Sequence, residues 1–210
     1  MTKRKVCDTI MAYDPNQPRD KLGRWTDGNP NTIDIEIDEL VPCLKDATDG
    51  EYLDTEVAPV PRSELKRFTK KNGWGVDWAK RPADENVFGV YLKGDTEPQG
   101  LISLRYDEGG TYIGFVSAAP HNNKHLLNGK EPRYYGVGGH LFALAVEQST
   151  LHDGDGVVFG YAANKKLLEH YVNVFGAVHC PVMHEYQFII EGEASIRLLN
   201  EYSYERNGFE

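Results

Sequence analysis

The chain has 210 residues, of which 40% are hydrophobic and 26% are charged. This length and composition suit one globular domain that buries a core without disulfides or a structural metal. With 32 acidic and 23 basic residues the formal net charge is -9, which argues against nucleic acid as a partner because phosphate contacts need a basic surface. No run reaches the ~20 apolar residues of a membrane span. The N-terminus also lacks the apolar stretch of a signal peptide, so we expect a cytoplasmic protein.

Residues 1–50 form an N-terminal extension that we expect to be partly irregular. Residues 13–30 are rich in Pro, Gly, Asp and Asn, and such a composition cannot bury enough surface to offset the entropy of ordering the chain. Within them, PRDKLGRWT resembles a short sequence in tail segments of bacteriophage and mobile-element proteins. From Ile33 the acidic and apolar alternation of IDIEID predicts a short strand or an extended arm.

Regular elements follow from Tyr52 onward. The patterns predict strands over 52–57, 87–93, 101–106, 111–118, 157–161 and 182–190, and helices over 62–71, 140–149, 165–175 and 193–202. Asn164 is a suitable N-cap for the third of these helices, and Gly176 is its stop signal. We therefore predict an α+β fold in which helices flank a mixed, mostly antiparallel central sheet.

A glycine cluster lies at the start of the second predicted helix. Gly136, Gly138 and Gly139 let the backbone turn tightly and approach a ligand with no Cβ in the way. The free N–H groups of a helix start, aided by the helix dipole, bind anions such as a pyrophosphate. The dinucleotide fingerprint fails because Leu141 occupies its third glycine position, and a P-loop fails because His140 follows Gly139.

These segments resemble the GNAT family of N-acetyltransferases, as a bacterial or mobile-element member. The resemblance covers about residues 52–200 in element order. The pyrophosphate loop Arg/Gln-x-x-Gly-x-Gly/Ala is similar to the run from Arg133 to Gly138. The family's fourth strand, which usually ends in Val-x-Pro, resembles the strand that ends at Pro120, and its second conserved helix resembles NKKLLEHYVNVFG. The loop from Pro120 to Arg133 is longer than the usual connection.

The resemblance implies a GNAT-type acyl-CoA N-acyltransferase fold over residues 51–210. It also implies a transferase that moves an acetyl group from acetyl-CoA, the co-substrate, to a primary amine by direct attack. The backbone of 134–139 would hold the pyrophosphate, and the main chain of 116–118 would contact the pantetheine arm and polarise the thioester carbonyl. Tyr171 is the implied catalytic residue, since a tyrosine hydroxyl can protonate the leaving thiolate. The implied cofactor-binding residues are Val116, Ser117, Ala118, Arg133, Tyr134, Tyr135, Gly136, Val137, Gly138, Gly139, His140 and Asn164.

Several alternatives stay open. Without the family pattern Tyr171 also fits a core tyrosine and Asn164 a plain N-cap. The base for the amine is not identified among Asp107, Glu108, His121 and Glu185, and water can also carry the proton. We expect a small-molecule or peptide amine as acceptor, no nucleic acid, membrane or metal, and a monomer or homodimer. The alternative function is a non-catalytic CoA-binding or interaction module of a phage or mobile element, and a nucleotide-binding regulator ranks last.

Overall fold

A computed structural model describes residues 32–38 and 40–202, together with the backbone of 205–206. The stretch over 13–30 that was predicted to be irregular lies outside these residues. The α-helices of the described part are α1 Val137–Leu151, α2 Lys165–Phe175 and α3 Glu193–Glu201. None of them is long and apolar enough to cross a membrane. The strands are β1 Thr32–Ile33, β2 Leu44–Asp46, β3 Tyr52–Leu53, β4 Thr55–Pro59, β5 Asn86–Leu92, β6 Gly100–Asp107, β7 Gly110–Ala118, β8 Tyr134–Tyr135, β9 Val158–Ala162, β10 Val178–His179, β11 Gln187–Ile190 and β12 Glu205–Arg206.

The central sheet is mixed and mostly antiparallel, as the sequence predicts. Its strand order is β10-β11-β9-β7-β6-β5-β4-β12. The three successive strands predicted over 87–93, 101–106 and 111–118 form an antiparallel meander, β5 to β7, and β4 pairs with β5 in the same antiparallel way. Strands β7 and β9 are parallel. A smaller sheet has the order β3-β2-β8 and leads directly into α1.

The main core lies between the central sheet and the helices. Helix α1 is buried around most of its circumference, whereas α2 buries one face. The ring of Phe142 on α1 packs against the rings of Tyr171 and Phe175 on α2 and of Phe188 on β11, with centroids 4.8–6.0 Å apart. This packing fixes α2 relative to the sheet.

The helix predicted over 62–71 is wrong. That stretch contains two short 3-10 helices, Leu65–Arg67 and Lys70–Asn72. Thr69 between them is extended, with φ -123° and ψ 156°, and its hydroxyl oxygen accepts a hydrogen bond from the Asn72 N–H. An α-helix cannot pass through that conformation. A second buried cluster, which includes Leu65, Phe68, Trp74 and Trp78, holds the segment against the sheet.

Strands β7 and β9 diverge. They pair only at Thr111 with Val158 and at Tyr112 with Phe159. Further along the same edge of β9, its partner is β1, with Thr32 opposite Tyr161 and Ile33 opposite Ala162. A gap opens between residues 116–118 of β7 and the elements β9 and α2. We call this gap the cleft.

Candidate active site

The cleft is filled by the segment Thr32–Asp38, which we call the arm. Ile33, Ile35 and Ile37 are 0%, 7% and 3% exposed, whereas Asp34 and Glu36 face solvent. This alternation is that of an extended chain with one buried face. The extended arm predicted from the sequence is therefore confirmed, although its place in the cleft was not foreseen.

Hydrogen bonds hold the arm to β9 and α2. The Ala163 N–H donates to the main-chain oxygen of Ile33 at 2.9 Å. The Tyr171 hydroxyl donates to the main-chain oxygen of Ile35 at 2.7 Å, and the Ile37 N–H donates to His170 Nε2 at 3.1 Å. Main-chain groups of the arm thus use the polar side chains that α2 offers to the cleft.

Burial controls the chemistry of Tyr171. The side chain is fully buried, and desolvation raises the pKa of its hydroxyl well above the usual value. The hydroxyl therefore stays protonated at neutral pH and is a hydrogen-bond donor.

The start of α1 closes one end of the cleft. Gly136, the N-cap, has φ 91°, which favours glycine, and its N–H donates to Asp38 Oδ1 at 2.9 Å. A carboxylate of the arm therefore lies at the helix N-terminus, where the dipole favours an anion. A Cβ on Gly138 would lie 2.8 Å from Cδ1 of Ile37, so the arm packs directly on the first turn of α1.

The end of β7 forms the wall of the cleft that lies opposite β9 and α2. Val116, Ser117 and Ala118 are buried, and in the described part of the chain this edge of β7 has no strand partner beyond Tyr112. A cavity of about 30 Å³ remains between the arm and this wall. Its lining includes Ser117, Ala118, Tyr134, Val137, Gly138 and the acidic side chains of the arm.

The loop before α1 is ordered by the smaller sheet. The guanidinium of Arg133 is exposed and lies 5.1 Å from the ring centre of Tyr134. The backbone N–H of Tyr134 donates to Asn122 Oδ1 at 3.0 Å, and the Tyr135 hydroxyl donates to Glu131. These contacts fix the direction in which the chain enters α1.

Two predicted binding residues lie on a different side of α1. The side chain of His140 is fully buried, with Nδ1 2.9 Å from the Gly136 carbonyl oxygen and Nε2 3.3 Å from the Thr55 hydroxyl oxygen. A Cβ on Gly139 would lie 1.6 Å from the Tyr202 hydroxyl oxygen. His140 and Gly139 thus make room for, and contact, Tyr202 rather than the arm.

Asn164 is the N-cap of α2. Its Oδ1 accepts a hydrogen bond from the Leu167 N–H at 3.0 Å, and its side chain is exposed. Capping leaves the amide NH₂ group available to a ligand, so the two roles considered for Asn164 are compatible.

The arm supplies the groups that sequence reasoning did not find in the cleft, above all Asp38. The described residues contain no group of three or more His, Cys, Asp or Glu residues that could hold a metal ion. The structure brings together residues 116–118, Gly136, Gly138 and Tyr171 around one extended segment.

The chain has distant structural similarity to known proteins. No protein-family model matches the chain, and no curated protein matches it. A variant of a cAMP-binding acyltransferase from Mycobacterium smegmatis has a similar structure over 76% of this chain, at 11% identity and a TM-score of 0.44. The chain spans 50% of that protein's length. An uncharacterized protein from Bacillus halodurans is similar over 78% of this chain and 97% of its own, at 13% identity and a TM-score of 0.42.

Proposed function

We propose that the chain is an acetyl-CoA-dependent N-acetyltransferase with a GNAT-type fold. The observation that carries the proposal is the divergence of β7 and β9 beside the glycine-containing start of α1. In the described part of the chain the divergence leaves the edge of β7 at 116–118 without a strand partner, and the Tyr171 hydroxyl donates to the arm that fills the gap. A strand edge, an anion-binding helix start and a proton donor are the groups that acyl transfer from a CoA thioester needs.

The occupant of the cleft indicates what else the cleft can hold. The arm is a narrow extended chain whose amide groups bond to α2 and β9 and whose carboxylate bonds to the Gly136 N–H. The pantetheine chain of coenzyme A is likewise narrow and contains amide groups, and it is joined to a pyrophosphate. The Asp38 carboxylate therefore occupies the position that a phosphate oxygen of the co-substrate would take at the Gly136 N–H.

The roles of the protein groups follow from their positions. When bound, acetyl-CoA supplies an activated carbonyl carbon that an amine attacks while the carbon–sulfur bond breaks. A main-chain N–H from 116–118 stabilises the negative charge that develops on the carbonyl oxygen. The Tyr171 hydroxyl gives its proton to the departing sulfur. Water accepts the proton that the amine loses and returns a proton to Tyr171, which restores the hydroxyl.

The test is an assay for CoA thiol release from acetyl-CoA with a panel of amines that includes a polyamine and a lysine-containing peptide. With at least one of these amines, we expect the amount of CoA thiol released to equal the amount of acetylated amine measured by mass spectrometry. Thiol release that does not depend on any amine, with no acetylated product, would argue against transfer.

A second candidate is the non-catalytic CoA-binding or interaction module. The observation in its favour is the arm itself, because it covers the groups to which catalysis is assigned. This candidate predicts CoA binding without transfer to any amine.

A further inference from the structure

We propose that the arm is an internal competitor of acetyl-CoA, so that the co-substrate enters only when residues 32–38 leave the cleft. This inference rests on the proposed function. It adds a switch between a closed form, in which the chain occupies its own site, and an open form that binds acetyl-CoA.

The first argument is space. With the arm in place the cavity between it and the end of β7 is about 30 Å³, which has room for no more than about two or three water molecules. The side chains of Ile35 and Ile37 pack against α1 at Gly138, where there is no Cβ to displace them. A pantetheine chain cannot share that volume.

The second argument is charge. The Gly136 N–H can serve either the Asp38 carboxylate or a phosphate oxygen. Two anions at one helix start repel each other. The arm and the pyrophosphate therefore exclude each other electrostatically as well as sterically.

The third argument concerns the proton donor. In the closed form the Tyr171 hydroxyl proton is directed at the main-chain oxygen of Ile35. That proton is not directed at a sulfur atom until the arm leaves. The closed form is thus both blocked and catalytically idle.

Competition of this kind lowers the apparent affinity. If only a fraction of molecules is open, the measured Kd is the intrinsic Kd divided by that fraction. A substitution that loosens the arm without touching the rest of the cleft must therefore tighten acetyl-CoA binding, which is the opposite of the usual effect of a substitution at a binding site.

The test is calorimetric titration of acetyl-CoA into the full chain and two charge-matched variants. Asp38→Ala removes the carboxylate that bonds to Gly136, and we expect binding to become roughly tenfold tighter because a hydrogen bond to a charged group is lost from the closed form. Glu36→Gln removes the same charge from an exposed side chain of the arm, and we expect its Kd to change by less than about twofold. Hydrogen exchange of a peptide covering 32–38 should accelerate in the unsubstituted chain when acetyl-CoA is added.

The outcomes separate the two proposals. Unchanged or weaker binding by Asp38→Ala, with the arm still protected from exchange in the presence of bound acetyl-CoA, overturns the competition and leaves the acetyltransferase proposal standing. If Asp38→Ala does not fold, the exchange measurement on the unsubstituted chain alone decides. Absence of binding by the unsubstituted chain and by both variants overturns the proposed function itself.

Discussion

The hydroxyl group of Tyr171 and the main-chain oxygen of Ile35 form a hydrogen bond of 2.7 Å between residues 136 positions apart in the chain. The bond links helix α2, where the sequence predicts a catalytic tyrosine, to an N-terminal segment that the sequence predicts only as an arm. It therefore makes the arm part of the candidate active site.

Substitution of Tyr171 by Phe should separate catalysis from binding. The ring still fills its place in the core, but the proton donor is lost, so we expect the rate of acetyl transfer to fall by about 10²- to 10⁴-fold. The Kd for acetyl-CoA should not rise, because the lost hydrogen bond belongs to the closed form. The measurement is steady-state thiol release combined with calorimetric titration.

The matched control is Tyr106→Phe. The Tyr106 hydroxyl donates to Gln148 Oε1 at 2.9 Å, outside the cleft. Both substitutions should cost about 1 kcal/mol of stability through one lost hydrogen bond. Equal rates of transfer in the two variants would remove Tyr171 from the mechanism.

Asn164 can be tested for its two roles separately. Asn164→Asp keeps an oxygen that accepts from the Leu167 N–H, so the free energy of unfolding should stay within about 0.5 kcal/mol. The NH₂ donor is lost, so acetyl-CoA should bind more weakly if Asn164 contacts the pantetheine arm. Asn164→Ala should lose about 1 kcal/mol of stability as well.

Urea unfolding and acetyl-CoA titration of the Asp and Ala variants check this prediction. Asn164 is an N-cap alone if Asn164→Asp binds acetyl-CoA as tightly as the unsubstituted chain.

A buried ion pair supports the sheet beside β7. Arg81 donates from Nε to Glu85 Oε2 at 2.8 Å, and the two side chains are 7% and 1% exposed. A Cβ on Gly114 would lie 2.5 Å from Glu85 Oε1, so β7 packs closely on this pair. We expect Glu85→Gln to lower the free energy of unfolding by about 3–5 kcal/mol, because it removes the negative charge from this buried, hydrogen-bonded pair.

Urea denaturation measures this effect. The control is Glu169→Gln, which breaks the exposed pair with Lys165 on α2 and should cost no more than about 0.5 kcal/mol. A loss of that small size in Glu85→Gln as well would mean that the pair does not hold the sheet.

His121 predicts a pH dependence of stability. Burial, together with the positive charge of Arg133, lowers the pKa of His121 below its usual value of about 6.5. The unfolded chain therefore binds this proton more readily than the folded chain, and stability falls as the pH drops below about 6.5. The loss levels off below the pKa of the folded state.

Urea unfolding of the unsubstituted chain and of His121→Gln between neutral and mildly acidic pH checks this prediction. The difference in stability between the two proteins should change across this pH window. A difference that is independent of pH would show that His121 does not contribute the effect.

Local patterns predicted much of the fold. The meander follows from short turns between alternating strands, and the ends of α2 follow from Asn164 and from Gly176, which has φ 76°. The strand predicted over 182–190 is shorter in the structure and covers Gln187–Ile190. The chain turns before Gln187, whose main-chain oxygen accepts a hydrogen bond from the Cys180 N–H. The predicted strand over 52–57 is divided into β3 and β4.

Long-range contacts account for what the sequence could not predict. The IDIEID pattern predicts that one face of the arm is buried, but it does not identify the surface that buries it. Contacts of Ile35 with Tyr171 and of Asp38 with Gly136 join residues 136 and 98 positions apart. The burial of His140 against Tyr202 is of the same kind, since the motif alone places His140 at an anion-binding helix start.

The most direct test of the account is calorimetric titration of acetyl-CoA into the unsubstituted chain, Asp38→Ala and Gly138→Trp, with Lys66→Trp as a control at an exposed position outside the cleft. We predict one site per chain in the first two proteins and in the control, and loss of binding in Gly138→Trp, because an indole ring would fill the cleft beside α1. Absence of binding by both the unsubstituted chain and Asp38→Ala, or equal affinity in Gly138→Trp, would contradict the assignment of the cleft to acetyl-CoA.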